Sequence, residues 1–192
     1  MRHGGAYQNT NMNIEIVSGS PRKESITFRL ALFFQKYFSE NTEHSTHIID
    51  VREWNFPTLQ EEVYSSVEAT PDPYKPLATS MFAADAFILV TPEYNGTYTP
   101  PLKNLFDHFP KQLHKPFGIA TASPGALGGI RAALQLHSLI IALFGIVSPY
   151  MLVTPHVEKK FDSKGQLIDL AFQNAINNFL AEFLWLAEKI RT

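Results

Sequence analysis

Three stretches of the chain gather residue types able to hold an anion and a flat ring. The first reads Ser18-Gly19-Ser20-Pro21-Arg22-Lys23-Glu24-Ser25, between a β-type run and a helical run. A helix N-terminus presents unpaired N–H groups and partial positive charge, which favour an anion. The serine hydroxyls add donors, and Arg22 adds a charged fork. This set suits a compact terminal monophosphate. It does not suit a pyrophosphate, which calls for G-x-G-x-x-G, and the P-loop pattern G-x-x-x-x-G-K-S/T is absent. The same residues also read as a plain turn, with Ser25 doing no more than capping the helix.

The second stretch runs Thr91-Pro92-Glu93-Tyr94-Asn95-Gly96-Thr97-Tyr98-Thr99-Pro100-Pro101. Prolines at both ends make it stiff, Tyr94 and Tyr98 offer flat surfaces, and its backbone N–H groups have no sheet partner to expect. Such a loop can hydrogen-bond the edge of a planar heterocycle, or it is an ordinary loop with tyrosines packed on the surface. The third stretch, Ser123-Pro124-Gly125-Ala126-Leu127-Gly128-Gly129-Ile130-Arg131, has three glycines that permit positive φ and close approach of a flat ligand. Arg131, early in the next helix, can meet a phosphate or an acidic residue; the plainer reading is a flexible turn with a surface ion pair.

Other chemistry falls away. There is no cysteine, which excludes disulfides, thiolate nucleophiles and iron–sulfur ligands. His44 and His47 lack a second ligand pair at metal spacing, so no metal site is expected. No G-x-S-x-G elbow supports a hydrolase. A net charge of −2 with both signs scattered argues against a nucleic-acid surface. The longest apolar stretch, around Ser138–Val147, is far below the roughly 20 residues of a membrane span, and Met1–Ala6 carries no signal-peptide core. A cytoplasmic protein without membrane attachment is the expectation.

The elements that must position these loops alternate along the chain. Asn13–Val17, Thr46–Val51, Ala86–Thr91, Pro116–Ala122 and Ser148–Val153 read as strands. Ile26–Phe38, Lys75–Ala84, Pro100–Phe109, Ile130–Phe144 and Asp169–Ile190 read as helices, the last with Phe172, Ile176, Phe179, Phe183, Leu186 and Ile190 along one stripe. Strands each followed by a helix imply right-handed crossovers and a parallel sheet covered on both faces, a three-layer αβα sandwich. All three loops then leave the carboxyl ends of strands, where ligands of open parallel sheets bind. Residues Met1–Met12 read as a loose lead-in and 13–192 as a single domain; Arg52–Tyr74 is a long connection carrying Pro57, Pro71 and Pro73.

Taken in order, the three loops resemble the NADPH-dependent FMN reductase family of the flavodoxin-like fold. The family's G-S-x-R-x-x-S is matched by Gly19-Ser20-Pro21-Arg22-Lys23-Glu24-Ser25. Its P-E-Y-N, then proline and L-K-N, is matched by Pro92-Glu93-Tyr94-Asn95, Pro100 or Pro101, and Leu102-Lys103-Asn104. Its G-x-x-G-G-x-R-A is matched by Gly125 through Ala132. The resemblance covers roughly Asn13 to Val153. Ile26-Thr27 departs from the small or amide residues frequent there, and Glu24 puts a negative charge beside the phosphate.

The resemblance implies a five-stranded sheet in the order 2-1-3-4-5 and an FMN site. Ser18, Ser20, Arg22 and Ser25 then take the FMN phosphate, with Pro21, Ile26 and Thr27 around it. Pro92, Glu93, Tyr94 and Asn95 with Gly96, and Ser123 through Gly125 with Gly128, flank the isoalloxazine. It further implies NADPH or NADH as co-substrate, a small-molecule electron acceptor (quinone, azo compound, flavin or metal oxyanion), and a homodimer or homotetramer. No catalytic side chain is expected, because the cofactor carries the hydride chemistry and backbone N–H groups around Glu93–Gly96 stabilise charge on it. Two other readings remain open from the residues alone: an FMN-binding electron carrier or redox sensor without NAD(P)H turnover, and a flavodoxin-like domain without cofactor.

Overall fold

The apolar run Ala86–Thr91 lies in the middle of the sheet and is buried along its whole length, as expected of a strand covered on both faces. The computed structural model describes residues 11–59 and 63–191. Its strands are β1 (Asn13–Ser18), β2 (Ser45–Asp50), β3 (Ala86–Thr91), β4 (Pro116–Ser123), β5 (Ile146–Val147) and β6 (Leu152–Pro155). They pair in parallel in the order β2-β1-β3-β4-β5, and β6 also pairs with β4. The helices are α1 (Phe28–Asn41), α2 (Lys75–Ala83), α3 (Pro100–Asp107), α4 (Ile130–Ala142), the short α5 (Val157–Lys160) and α6 (Gln173–Arg191).

Two cores sit on the two faces of the sheet. On one, Leu30, Phe34 and Phe38 of α1 and Ile176, Phe179 and Phe183 of α6 pack over Ile14, Ile16, Ile88 and Val90. On the other, α2, α3 and α4 bury Leu77, Leu102, Phe106 and Leu136 against Val17, Leu89, Phe117 and Ile119. Residue alternation along each strand separates the two sets. Met12, read from sequence as the end of a lead-in, is buried in the first core, and its backbone pairs with Ser45; residues 1–10 lie outside the described residues.

The fifth strand departs from the expected Ser148–Val153. Its place is filled by two pieces: Ile146–Val147 pairs with Pro116–Phe117, and Leu152–Pro155 pairs with Ala120–Ser123. Pro149 lies between them, with no N–H for a ladder and a restricted residue before it. Helix α6 also starts late, after a 3₁₀ turn over Leu170–Phe172, and its buried stripe runs through Leu180 and Ala187 rather than Leu186 and Ile190.

Candidate functional site

The loops after β1, β3 and β4 meet at the carboxyl end of the sheet. Gly19 N–H donates to the Val90 carbonyl at 2.8 Å, which carries the ladder one residue past β1. The Thr99 hydroxyl, at the start of α3, donates to the Gly19 carbonyl and accepts from Leu102 N–H. The first two loops are therefore joined at their roots.

In the first loop Ser18 and Ser20 are buried at the base, and Pro21, Arg22, Lys23 and Glu24 are exposed. Ser18 Oγ is fully enclosed and has no hydrogen-bond partner among the described residues. The Ser25 oxygen accepts from Phe28 N–H at 3.2 Å, at the start of α1. The N–H groups of Ser20, Ser25, Ile26 and Thr27 meet no acceptor among the described residues. Thr27 itself is turned inward: its hydroxyl donates to the Ala122 carbonyl at 3.3 Å and links this loop to the end of β4. Ile26 packs half-buried against the α1–α6 core.

Arg52, absent from the sequence-based candidates, braces the same loop from outside. Its guanidinium pairs with Asp50, donates to the Lys23 carbonyl at 3.0 Å, and lies 4.5 Å from the Phe28 ring centroid. The Asp50 hydrogen bonds raise its pKa further above the ordinary value. Only the spacing Asp50-x-Arg52 at the end of a strand hints at this in the sequence.

The second loop folds into a tight turn. Asn95 and Gly96 both adopt positive φ, 50° and 88°, and Tyr94 and Thr97 exchange backbone hydrogen bonds of 2.8 and 3.1 Å. Asn-Gly at the centre of such a turn is its familiar signal. The expectation that these N–H groups lack partners is thus corrected at Tyr94, whose N–H is taken by Thr97. Tyr98 is not a free flat surface either: it is half-buried against the α2–α4 core, and burial raises its pKa. Glu93 accepts from Arg131 N–H at 3.1 Å and pairs with its guanidinium at 2.5 Å, which anchors the loop to the first turn of α4. Of the two partners the sequence allowed for Arg131, the structure supplies the acidic one. Arg22 reaches the other way, donating from Nε to the Tyr94 hydroxyl at 3.1 Å.

In the third loop the glycines divide the work. Gly128 and Gly129 have φ of 59° and 89°; a Cβ on Gly128 would lie 2.7 Å from Pro155 N and from Val153 Cγ1. Gly128 therefore serves packing against β6 and is buried away from open space. Gly125 is not in the positive-φ region, and a Cβ there would meet only Ser123 Oγ at 3.6 Å. Ser123 Oγ is engaged within the loop, with both N–H and carbonyl of Gly125.

Contacts of Thr27 with Ala122, Arg22 with Tyr94 and Glu93 with Arg131 thus bring Ser20–Arg22, Tyr94–Gly96 and Ser123–Gly125 together at one end of the sheet. Unpaired N–H groups at a helix start and an exposed guanidinium fit a phosphate monoester. A cavity of about 400 Å³ lies between Trp54 and Phe56 after β2 and Pro100, Pro101 and Asn104 of α3.

A family model for NADPH-dependent FMN reductase matches residues 12–158. An NADPH azoreductase of Bacillus sp. (strain OY1-2) is 29% identical over 145 residues, 74% of this chain and 76% of the relative. A quinone reductase of Pseudomonas putida is 31% identical over 137 residues, 68% of this chain and 70% of the relative. Among solved structures, FerB, a flavoenzyme NAD(P)H:(acceptor) oxidoreductase from Paracoccus denitrificans, superposes with a TM-score of 0.77 at 22% identity, covering 93% of this chain and 98% of its own.

Proposed function

The chain belongs to the NADPH-dependent FMN reductase family, and from that premise we propose that its carboxyl-end loops hold FMN in a defined orientation. The activity is NAD(P)H-dependent oxidoreduction with FMN toward small acceptors. Bound FMN supplies the hydride-accepting and hydride-donating chemistry. In this reading Ser18, Ser20, Arg22 and Ser25, with the first turn of α1, bind the phosphate. Pro92–Gly96 and Ser123–Gly125 flank the ring, with Glu93 held in place by Arg131. The single observation carrying the assignment is the set of unpaired N–H groups at Ser20, Ser25, Ile26 and Thr27, leading into α1 on the same loop as the exposed Arg22. Gly125, with room beyond its Cα, allows a flat ring to approach the backbone. The proposed acceptors are quinones and azo compounds, the substrates named for the two relatives.

We also propose a homodimer or homotetramer and a cytoplasmic location. Leu134 and Ile141, seven residues apart on α4, are more than half exposed, as are Leu127 just before the helix and Phe144 just after it. Such an apolar strip is what a subunit contact covers. Among the described residues no helix is long and apolar enough to cross a membrane, and the nicotinamide coenzymes are abundant in the cytosol.

The test is an absorbance spectrum of the purified protein with FMN, followed by anaerobic NADPH and then NADH. Bound flavin that bleaches within seconds is the expected result, and the more effective nucleotide reports the coenzyme preference. Flavin that binds but stays oxidised would overturn the reductase reading for this chain. Sedimentation of the same sample at a multiple of 21.6 kDa is expected, and a monomer would remove the subunit contact.

A further inference from the structure

Glu93 and Tyr94 are consecutive, yet each engages an arginine from a different neighbouring loop. Glu93 holds Arg131, on the side of the third loop. Tyr94 holds Arg22, on the side of the first: Arg22 Nε donates to the Tyr94 hydroxyl at 3.1 Å, and the guanidinium carbon lies 5.4 Å from the ring centroid. Arg22 and Tyr94 are 72 residues apart, so the contact exists only in the folded chain.

We propose that Tyr94 is a positioning residue for phosphate recognition: it holds the Arg22 fork so that the site distinguishes FMN from riboflavin. This rests on the phosphate site proposed above. Arg22 is an exposed side chain on a loop, and a free arginine must give up about 2 kcal/mol of rotamer freedom to be fixed. Tyr94 removes part of that freedom before any ligand arrives. The hydrogen bond uses Nε alone and leaves both terminal NH2 groups without a partner among the described residues, the pair suited to a phosphate. Tyr94 can act as a fixed post because it is itself held. Its N–H and carbonyl are bonded to Thr97 across the Asn95-Gly96 turn, and its neighbour Glu93 is pinned to α4.

The proposal separates two functions within one loop. Tyr94 serves the phosphate through Arg22, whereas the Glu93–Arg131 pair serves the placement of the loop as a whole. Binding of FMN and of riboflavin, which lacks the phosphate, tells them apart.

The experiment measures dissociation constants of both flavins, by fluorescence quenching, for the wild type, Tyr94→Phe, Arg22→Ala, the double variant and Glu93→Gln. Phenylalanine keeps the ring and deletes only the hydroxyl. Tyr94→Phe is expected to weaken FMN about fivefold, the worth of one hydrogen bond, and to leave riboflavin within twofold. In the Arg22→Ala background the same substitution is expected to do nothing further, since the partner is gone. Glu93→Gln is expected to weaken both flavins alike. The positioning role is overturned if Tyr94→Phe leaves FMN unchanged, weakens both flavins equally, or adds in full to Arg22→Ala. A wild type that binds FMN no better than riboflavin, or an Arg22→Ala variant with full FMN affinity, would instead overturn the phosphate site itself.

Discussion

Ser18 and Glu15 stand three residues apart on β1, on opposite faces of the sheet, and each buries an oxygen with no partner among the described residues. Their surroundings differ. Ser18 lies at the carboxyl end, beneath a loop whose N–H groups at Ser20, Ser25, Ile26 and Thr27 are likewise unpaired and whose Arg22 is exposed. Glu15 lies further back, and among the described residues its carboxylate meets the exposed His47 at 3.4 Å. Burial is the larger influence on it and raises its pKa above the ordinary 4.5, with His47 opposing. A lone enclosed oxygen is therefore weak evidence for a ligand. It becomes evidence when the groups around it form an incomplete set of matching sign; where they do not, it is a cost in stability.

The largest effect is expected where that set is dismantled. Ser20→Ala with Arg22→Ala removes one neutral and one charge-assisted donor, together about 3 kcal/mol, or on the order of 100-fold in FMN affinity. The melting temperature of the FMN-free protein should change little, because Arg22 is exposed and the Ser20 hydroxyl has no partner among the described residues. Titration of the double variant with FMN checks this, and unchanged affinity would erase the contrast between the two ends of β1.

A second substitution asks whether the carboxyl end also carries stability. Gly128→Ala forces an L-residue to φ 59° with its Cβ 2.7 Å from the backbone nitrogen of Pro155. Relief requires moving β6 or the loop, at a cost of about 2 to 3 kcal/mol in unfolding free energy. Chemical denaturation measures it. The matching Gly125→Ala meets only Ser123 Oγ at 3.6 Å and should be nearly neutral for stability. Equal effects at the two glycines would mean that the third loop is not divided as described.

Much of this arrangement is legible in the amino-acid sequence. The unbroken apolar run Ala86–Thr91 announced the central strand with its ends in place, because burial on both faces leaves no polar alternation to confuse it. The three loops were legible because glycine, proline and serine mark where a chain must turn. The split fifth strand was not, since the apolar character continues around Pro149 while its hydrogen bonding cannot. Asn95-Gly96 carried a turn signal that the surrounding prolines obscured. Arg52 beside Lys23 and Arg22 beside Tyr94 were out of reach, since both contacts join distant segments and neither has a periodic trace. Thr27 illustrates the converse: it follows the matched motif closely and is expected around the phosphate, yet its hydroxyl turns to Ala122.

The smallest expected effect tests the other half of the comparison. Because the folded pKa of Glu15 lies above its ordinary value of 4.5, the native chain binds more protons than the unfolded chain between those two values. Stability attributable to this residue is then present in full below the lower value and is lost as pH rises through the higher one. Glu15→Gln removes the titration and keeps the shape. At pH 7.5 the variant should be more stable than the wild type by about 1 kcal/mol, roughly 3 °C in Tm for a chain of this size. Near pH 4 the two should melt together, since the wild-type carboxyl is then largely protonated in the folded state. Melting curves across this range decide it. A Glu15→Gln variant that is less stable at pH 7.5 would show that the carboxylate–His47 contact outweighs burial. Glu15 would then be a satisfied structural group, and its unpartnered oxygen no longer the counterpart of Ser18.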